Sequence, residues 1–212
     1  MSANRVAGLK QTGTTTLGIV CKDAVVLATD TRVTMGNYIA HRKGKKLYMI
    51  DDHMGMTIAG VVADAQNMID TIRYYAKIYK VEHQRPMPIV SAARVAANVF
   101  FSLRYYPYIV QSLLGGYDQG GPGLYNVDLF GTMTGERYAS TGSGSPIVYG
   151  ILESGYRDGM SVDDAVKLAV KGVTYAMKRD SASGDSIDVA VIDANGFREL
   201  PLEQKEAVLK AI

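Results

Sequence analysis

The chain of 212 residues has one cysteine, three histidines and no tryptophan. A single cysteine, Cys21, excludes a disulfide within the chain and suits a reducing compartment. It lies in an apolar strand pattern, where cysteine is typically a small core residue, so we predict that it is buried and unreactive.

A surplus of charge and a long apolar run are also missing. The 23 basic and 21 acidic residues give a formal charge of +2, so neither nucleic acid nor an anionic membrane is an expected partner. No stretch approaches the length of a membrane span, and the apolar residues among the first thirteen are too interrupted for a signal peptide. We therefore expect a protein of the cytoplasm.

Familiar catalytic and cofactor motifs are absent too. His41, His53 and His83 lie in polar turns or at helix ends, without a serine or cysteine nucleophile motif. No H-E-x-x-H or paired C-x-x-C occurs, and Asp51, Asp52 and His53 are neighbours in one turn, whose side chains point apart. The glycine-rich turns lack the Walker and dinucleotide spacings. We predict no metal, no cofactor and no nucleotide site.

Nine strands and five helices can be predicted from periodicity. The early strands at 15–21 and 24–29 are apolar on consecutive residues, which is typical of strands covered on both faces. Strands are predicted at 47–50, 56–60, 108–114, 124–130, 136–139, 187–192 and 197–200, and helices at 62–83, 89–106, 146–156, 161–178 and 203–211.

This order of strands and helices indicates an α+β fold, because strands and helices come in separate runs. We find no linker or repeat, so one domain is predicted. Glycine clusters such as Gly115-Gly116 are predicted turns. Ser145 is the predicted N-cap of the third helix, with Pro146 after it, and Ser161 that of the fourth.

The threonine run after Gly13 carries the main functional hypothesis. Thr14, Thr15 and Thr16 suit the head of a β-strand, because β-branched residues fit the pleat. The alternative is that the Gly13–Thr14 bond cleaves itself. Thr14 would then combine a nucleophilic hydroxyl with a base, its own α-amine.

Other motifs follow in a fixed order. They are Gly13-Thr14-Thr15-Thr16, Asp30-Thr31-Arg32, Gly44-Lys45-Lys46, Thr57-Ile58-Ala59-Gly60, 140–145 (STGSGS) and 179–184 (RDSASG). Together they closely resemble the archaeal type of proteasome β subunit, an N-terminal-nucleophile hydrolase, from Thr14 over nearly the whole chain. The resemblance implies a four-layer α-β-β-α sandwich of two antiparallel sheets flanked by helices. It also implies a propeptide, 1–13, removed by autocleavage from a hydrolase domain, 14–212.

The resemblance also implies the roles of site residues. Thr14 is similar to the family's nucleophile, with Lys46 and Asp30 beside it. A buried ammonium at Lys46, tolerated because Asp30 pairs with it, would lower the pKa of the Thr14 α-amine below its ordinary value of about 7.7–8.0. Gly60 matches the backbone N–H of the oxyanion hole. The family's residues around the α-amine correspond to Ser143, Asp180 and Ser183.

Substrate contacts are implied in the same way. Thr34 matches the residue that hydrogen-bonds an extended substrate. The specificity pocket corresponds to four apolar residues, so cleavage after hydrophobic residues is predicted, with core packing as the alternative for each. These residues are Val33, Tyr48, Ile58 and Val62.

The assembly is likewise implied by the resemblance. The family stacks such chains as homo-oligomeric heptameric β rings between rings of α subunits, degrades unfolded proteins and receives them from an ATP-dependent unfoldase cap. Two other functions stay open from the residues alone. One is an N-terminal-nucleophile amidase acting on small amides, and the other is a structural ring subunit without activity.

Overall fold

The computed structural model describes residues 13–210, which form twelve strands and five helices. The strands are β1 (Thr16–Val20), β2 (Ala24–Asp30), β3 (Val33–Met35), β4 (Tyr38–His41), β5 (Leu47–Asp51), β6 (Met54–Gly60), β7 (Val110–Asp118), β8 (Gly121–Val127), β9 (Met133–Gly135), β10 (Tyr138–Thr141), β11 (Ile187–Asp193) and β12 (Gly196–Glu199). The helices are α1 (Val62–His83), α2 (Ile89–Ser102), α3 (Ser145–Gly155), α4 (Val162–Arg179) and α5 (Leu202–Lys210). Of the predicted leader only Gly13 is among the described residues, and the predicted end of the tail helix, Ala211, lies outside them.

Two five-stranded antiparallel sheets form the centre of the molecule. The first sheet has the order β10-β1-β2-β11-β12, and the second has the order β5-β6-β7-β8-β9. The pair β3 and β4 forms a separate hairpin, which the sequence analysis did not predict. All of these pairings are antiparallel.

Three apolar cores separate four layers. One core lies between the second sheet and the helices α1 and α2, and another between the first sheet and the helices α3 and α4. The third core lies between the two sheets. Every residue of β2 is buried, as its uninterrupted apolar pattern predicts. The α+β class and the four-layer sandwich are therefore confirmed.

Helix ends follow local hydrogen bonding. Ser161 caps α4 as predicted, since its hydroxyl accepts a hydrogen bond from the Asp164 N–H at 3.1 Å. The prediction for α3 is wrong by one residue. Gly144 occupies the N-cap position, and Ser145 is the first helical residue, with Pro146 second. The predicted extension of α2 to Tyr106 is also wrong, because the helix ends at Ser102 and a turn follows.

The prediction that Gly115 and Gly116 form a turn is wrong, since both lie inside β7. A side chain at Gly115 would come within 2.8 Å of Val25 in the opposite sheet, and one at Gly116 within 2.5 Å of the carbonyl oxygen of His53. These glycines let backbones approach closely, which a sequence pattern does not distinguish from a turn.

Cys21 is buried, and its thiol donates a hydrogen bond to the carbonyl oxygen of Ala24. Burial raises the pKa of the Cys21 thiol, so the reactive thiolate is disfavoured, as its apolar context predicts. Within residues 13–210, none of the helices combines the length and the apolar character that crossing a membrane requires.

Candidate active site

A buried ion pair joins the two sheets. Asp30 is the last residue of β2 in the first sheet, and Lys46 directly precedes β5 in the second. The Lys46 Nζ lies 2.7 Å from Asp30 Oδ1, and both side chains are almost fully buried. A buried charge is tolerated only when it is paired and hydrogen-bonded, so the surroundings of Asp30 decide whether this pair is stable.

Four donors surround the Asp30 carboxylate. Besides the Lys46 ammonium, Oδ1 accepts a hydrogen bond from the Thr15 N–H at 2.9 Å. The other oxygen accepts hydrogen bonds from the N–H groups of Arg32 at 3.1 Å and of Gly184 at 2.9 Å. Asp30 therefore fixes the residue next to Thr14 as well as the lysine.

The environment shifts the pKa of Lys46. Burial, the largest effect, lowers the pKa of its ammonium below the ordinary value of 10.5, while the Asp30 carboxylate acts in the opposite direction. The more distant charge of Asp180 also opposes the shift, and that of Arg32 adds to it. Lys46 is therefore a cation that gives up its proton more readily than a surface lysine does.

A second group of polar residues surrounds the backbone nitrogen of Thr14. This N–H donates a hydrogen bond to Ser143 Oγ at 3.1 Å, and the Ser143 hydroxyl donates to Asp180 Oδ2 at 2.6 Å. The Ser183 hydroxyl donates to the same carboxylate oxygen at 2.6 Å. Asp180 thus orients both serines from the end of α4.

Thr15 connects the two groups. Its hydroxyl lies 2.7 Å from Ser183 Oγ, while its N–H donates to Asp30. One continuous hydrogen-bond network therefore contains six of the seven predicted catalytic residues, namely Thr14, Asp30, Lys46, Ser143, Asp180 and Ser183. No role for Thr15 could be predicted from the sequence, although this residue lies inside the threonine run.

Gly142 and Gly144 allow the loop between β10 and α3, which contains Ser143, to approach the threonine run. Gly142 has a φ of +92°, and a side chain there would lie 2.1 Å from the carbonyl oxygen of Thr14. A side chain at Gly144 would lie 2.0 Å from Thr15 Oγ1. No larger residue fits either position, which explains the glycines on both sides of Ser143.

An arginine that the sequence analysis left without a role holds the loop after α4. Arg32 donates from Nε to Asp185 at 2.9 Å and from Nη1 to the carbonyl oxygen of Ser181 at 3.0 Å. Its guanidinium covers Gly184, where a side chain would overlap it. Hydrogen bonding from Arg32 lowers the pKa of the Asp185 carboxyl. Arg32 belongs to the motif Asp30-Thr31-Arg32, and this motif is the sequence feature that could have pointed to a role for it.

Gly60, the seventh predicted catalytic residue, lies outside this network. It ends β6 with a φ of +140°, and a side chain there would lie 2.0 Å from the carbonyl oxygen of Ile109. The backbone thus requires glycine at this position. Its role as an oxyanion donor stays a prediction.

Thr34 in β3 contacts the segment before Thr14. Its hydroxyl accepts a hydrogen bond from the N–H of Gly13 at 3.1 Å. Gly13 is itself tightly enclosed, since a side chain there would lie 1.8 Å from the Ala182 Cβ and 2.9 Å from Ser143 Oγ. The chain leading to Thr14 therefore meets the residue predicted to bind an extended substrate.

The predicted pocket residues are distributed over four elements. Tyr48 of β5 and Ile58 of β6 pack into the core beneath α1. Val62 is the first residue of α1 and is partly exposed, and Val33 lies in β3 against Gly44. Ile58 is buried, so core packing and a pocket role both stay open for it.

Comparison with known proteins gives one consistent family. The family described as "Proteasome subunit" matches residues 10–192. The chain is 46% identical over 198 residues to "Proteasome subunit beta 2" of Nitrosopumilus maritimus, covering 93% of this chain and 94% of that relative. It is 46% identical over 203 residues to "Proteasome subunit beta" of Thermoplasma acidophilum, covering 95% and 96%. A third relative, "Proteasome subunit beta 2" of Staphylothermus marinus, is 48% identical over 187 residues, covering 88% and 90%.

Proposed function

The chain belongs to the proteasome subunit family, and from that premise we propose that it is the threonine endopeptidase of a 20S proteasome core, a catalytic β subunit. The observation that carries the proposal is the hydrogen-bond network around Thr14. It holds the backbone nitrogen of Thr14 on Ser143 and brings the Lys46–Asp30 ion pair next to the same residue through Thr15.

Activation is proposed to be cleavage of the Gly13–Thr14 bond. The Thr14 hydroxyl oxygen attacks the carbonyl carbon of Gly13, and the amide C–N bond breaks as the acyl group moves from nitrogen to oxygen. The hydroxyl proton ends on the nitrogen that is released. Water then hydrolyses the ester, which leaves a carboxylate on Gly13 and a free hydroxyl and amine on Thr14.

The same atoms then cleave substrates. The neutral α-amine of Thr14 takes the proton of its own hydroxyl as the oxygen attacks a peptide carbonyl, and this proton passes to the leaving amine. Water resolves the acyl-enzyme by the reverse sequence of proton transfers. Gly60 is proposed to stabilise the oxyanion through its N–H.

The polar residues around Thr14 are proposed to hold its α-amine and to keep that amine neutral. The nitrogen that donates to Ser143 Oγ becomes the α-amine after cleavage, and Ser143, oriented by Asp180, is proposed to hold it. The Lys46 charge favours the neutral amine and the developing alkoxide. The Asp30 carboxylate compensates the charge of this ammonium, so the ammonium can stay buried.

Unfolded polypeptides are the proposed substrates. The Thr34 hydroxyl accepts from the N–H of Gly13, on the acyl side of the bond to be cleaved, and an extended substrate can make the same contact. Val33, Tyr48, Ile58 and Val62 are proposed to form an apolar pocket that favours cleavage after hydrophobic residues. A comparison of fluorogenic peptides with small amides tests this: hydrolysis of the small amides alone would exclude an endopeptidase.

The proposed assembly is a heptameric β ring stacked between α rings, with an ATP-dependent unfoldase cap on the particle. Support comes from the relatives, which are named as proteasome β subunits. The cytoplasm is the proposed location, and the single buried cysteine suits its reducing conditions.

Gly13→Ala should slow activation strongly. The new methyl group would overlap the Ala182 Cβ, so the carbonyl to be attacked must move. Misplacing a reacting group by about 1 Å costs about 10²-fold in rate, and we expect processing to slow by about that factor. Intact-mass spectrometry over time measures it.

Two further variants complete this experiment. Gly8→Ala, which changes another glycine of the leader, should be processed at the normal rate. Ala182→Gly removes the nearest obstructing atom and should restore part of the processing of Gly13→Ala. Normal processing of Gly13→Ala itself would contradict the steric argument.

A further inference from the structure

Three buried threonine hydroxyls form a contact between the two sheets. Thr16 lies in β1, Thr141 beside it in β10, and Thr57 in β6 of the other sheet. The Thr57 hydroxyl donates to Thr16 Oγ1 at 3.1 Å, and the hydroxyls of Thr16 and Thr141 are 2.7 Å apart. We name Thr16, Thr57 and Thr141 the threonine bridge.

The threonine bridge joins the same two sheets that enclose one of the apolar cores. The core between the sheets consists of Val25, Leu27, Leu47, Leu113, Leu124, Ala139, Ala190 and Ile192. Apolar contacts of this kind are non-directional and do not fix how one sheet is placed along the other. A hydrogen bond does, because its energy depends on distance and angle.

The position of the threonine bridge relates it to the proposed chemistry. Thr16 follows the proposed nucleophile by two residues, and Thr57 precedes Gly60 by three. Thr57 is also the register partner of Leu47, directly after Lys46, and the neighbouring N–H of Ile58 donates to the carbonyl oxygen of Lys46 at 3.0 Å. Thr57 and Gly60 lie on the same strand, β6, which is hydrogen-bonded to Lys46. A shift of β6 along the sheet by one residue, about 3.3 Å, would therefore move Gly60 and Lys46 relative to Thr14.

We propose that Thr57 is a positioning residue, whose hydroxyl bond to Thr16 sets the strand of the nucleophile against the strands that carry Lys46 and Gly60. This inference rests on the proposed function, since it concerns the same site. Thr57 is proposed to act through Thr16, to which its hydroxyl donates.

The test is Thr57→Val, which replaces the hydroxyl with a methyl group of similar size. Thr16 keeps its partner Thr141 in this variant, so no buried hydroxyl of the pair loses its only hydrogen bond. We expect the kcat of the assembled, processed particle for a fluorogenic peptide to fall about tenfold or more, with KM within about twofold. The unfolding temperature should stay close to that of the unchanged protein.

The chain offers a matched control in Thr29→Val. Thr29 is the register partner of Thr16 in β2, so it lies on the same face of the sheet, and it is equally buried. Its hydroxyl makes no hydrogen bond within residues 13–210. The same change should therefore leave kcat unchanged at this position.

Thr57→Ser keeps the donor and should restore kcat, which a loss of packing alone does not predict. If Thr57→Val does not assemble, Thr57→Cys, with a weaker donor of similar size, decides in its place. Unchanged kcat in the Val or Cys variant, or a fall that Ser does not reverse, would overturn the inference. Absence of peptidase activity from the unchanged particle would instead refute the proposed function.

Discussion

Replacing Thr14 by alanine is expected to leave a chain that keeps residues 1 to 13 and has no peptidase activity. The proposed account gives one hydroxyl two tasks, cleavage of its own chain and cleavage of substrates, so both are lost together. Removal of the nucleophile of a serine protease triad lowers kcat by about 10⁶-fold, and a loss of that order is expected here. Intact-mass spectrometry measures the first loss, and a fluorogenic peptide assay the second.

Matched variants separate this effect from a general disturbance. Thr14→Ser keeps a hydroxyl and should retain part of both activities. Thr132→Ala changes an exposed threonine in the turn between β8 and β9 and should be processed in full. Complete processing of Thr14→Ala would show that another group, or another protein, cleaves the bond.

Replacing Lys46 is expected to have the second large effect. Lys46→Ala removes the ammonium and leaves the Asp30 carboxylate buried without its charge partner. Breaking a buried ion pair in this way costs about 3–5 kcal/mol in the free energy of unfolding. The loss of electrostatic stabilisation should lower kcat by about 10²–10³-fold in the protein that remains folded.

The adjacent lysine is the control for this experiment. Lys45 forms an ion pair with Glu199, but both side chains are about half exposed. Exposed pairs contribute little to stability, so Lys45→Ala should change neither stability nor kcat appreciably. Urea unfolding measures the first quantity and steady-state kinetics the second. Near-normal turnover of Lys46→Ala would remove the ammonium from the mechanism.

The lowered pKa of Lys46 also predicts the pH dependence. The ammonium is lost as the pH rises through this pKa, so the alkaline limb of kcat/KM should lie below 10.5, the ordinary value for lysine. The acid limb should follow the Thr14 α-amine, at or below about 7.7–8.0. An alkaline limb above 10.5 would contradict the lowered pKa of Lys46.

The same lowered pKa predicts how stability depends on pH. Between the pKa of Lys46 in the folded protein and 10.5, the unfolded chain binds more protons than the folded one, so the free energy of unfolding should rise with pH.

Periodicity predicted most of the strands and helices, because buried strands and amphipathic helices leave local patterns, whereas the four layers were implied by the family resemblance. It did not predict the β3–β4 hairpin, because both strands are short and most of their residues are partly exposed. It also misread Gly115 and Gly116 as a turn. Glycine serves turns and close packing alike, and only the opposite strand shows which applies.

The candidate site shows a similar limit. The threonine run, Asp30 and Lys46 could be named from motifs, but the network that joins them depends on contacts between distant parts of the chain. Thr14 meets Ser143 and Thr15 meets Ser183, at separations of 129 and 168 residues. Neither Thr15 nor Thr57 differs from an ordinary strand threonine until these neighbours are known.

In the proposed mechanism, Thr14 becomes the first residue and acts with its own amine. Tandem mass spectrometry of the N-terminal peptide from the active, unchanged particle identifies this first residue. We expect a peptide that begins Thr14-Thr15-Thr16 and has a free α-amine. An active particle whose chains still carry Gly13, or begin at any residue other than Thr14, would contradict it.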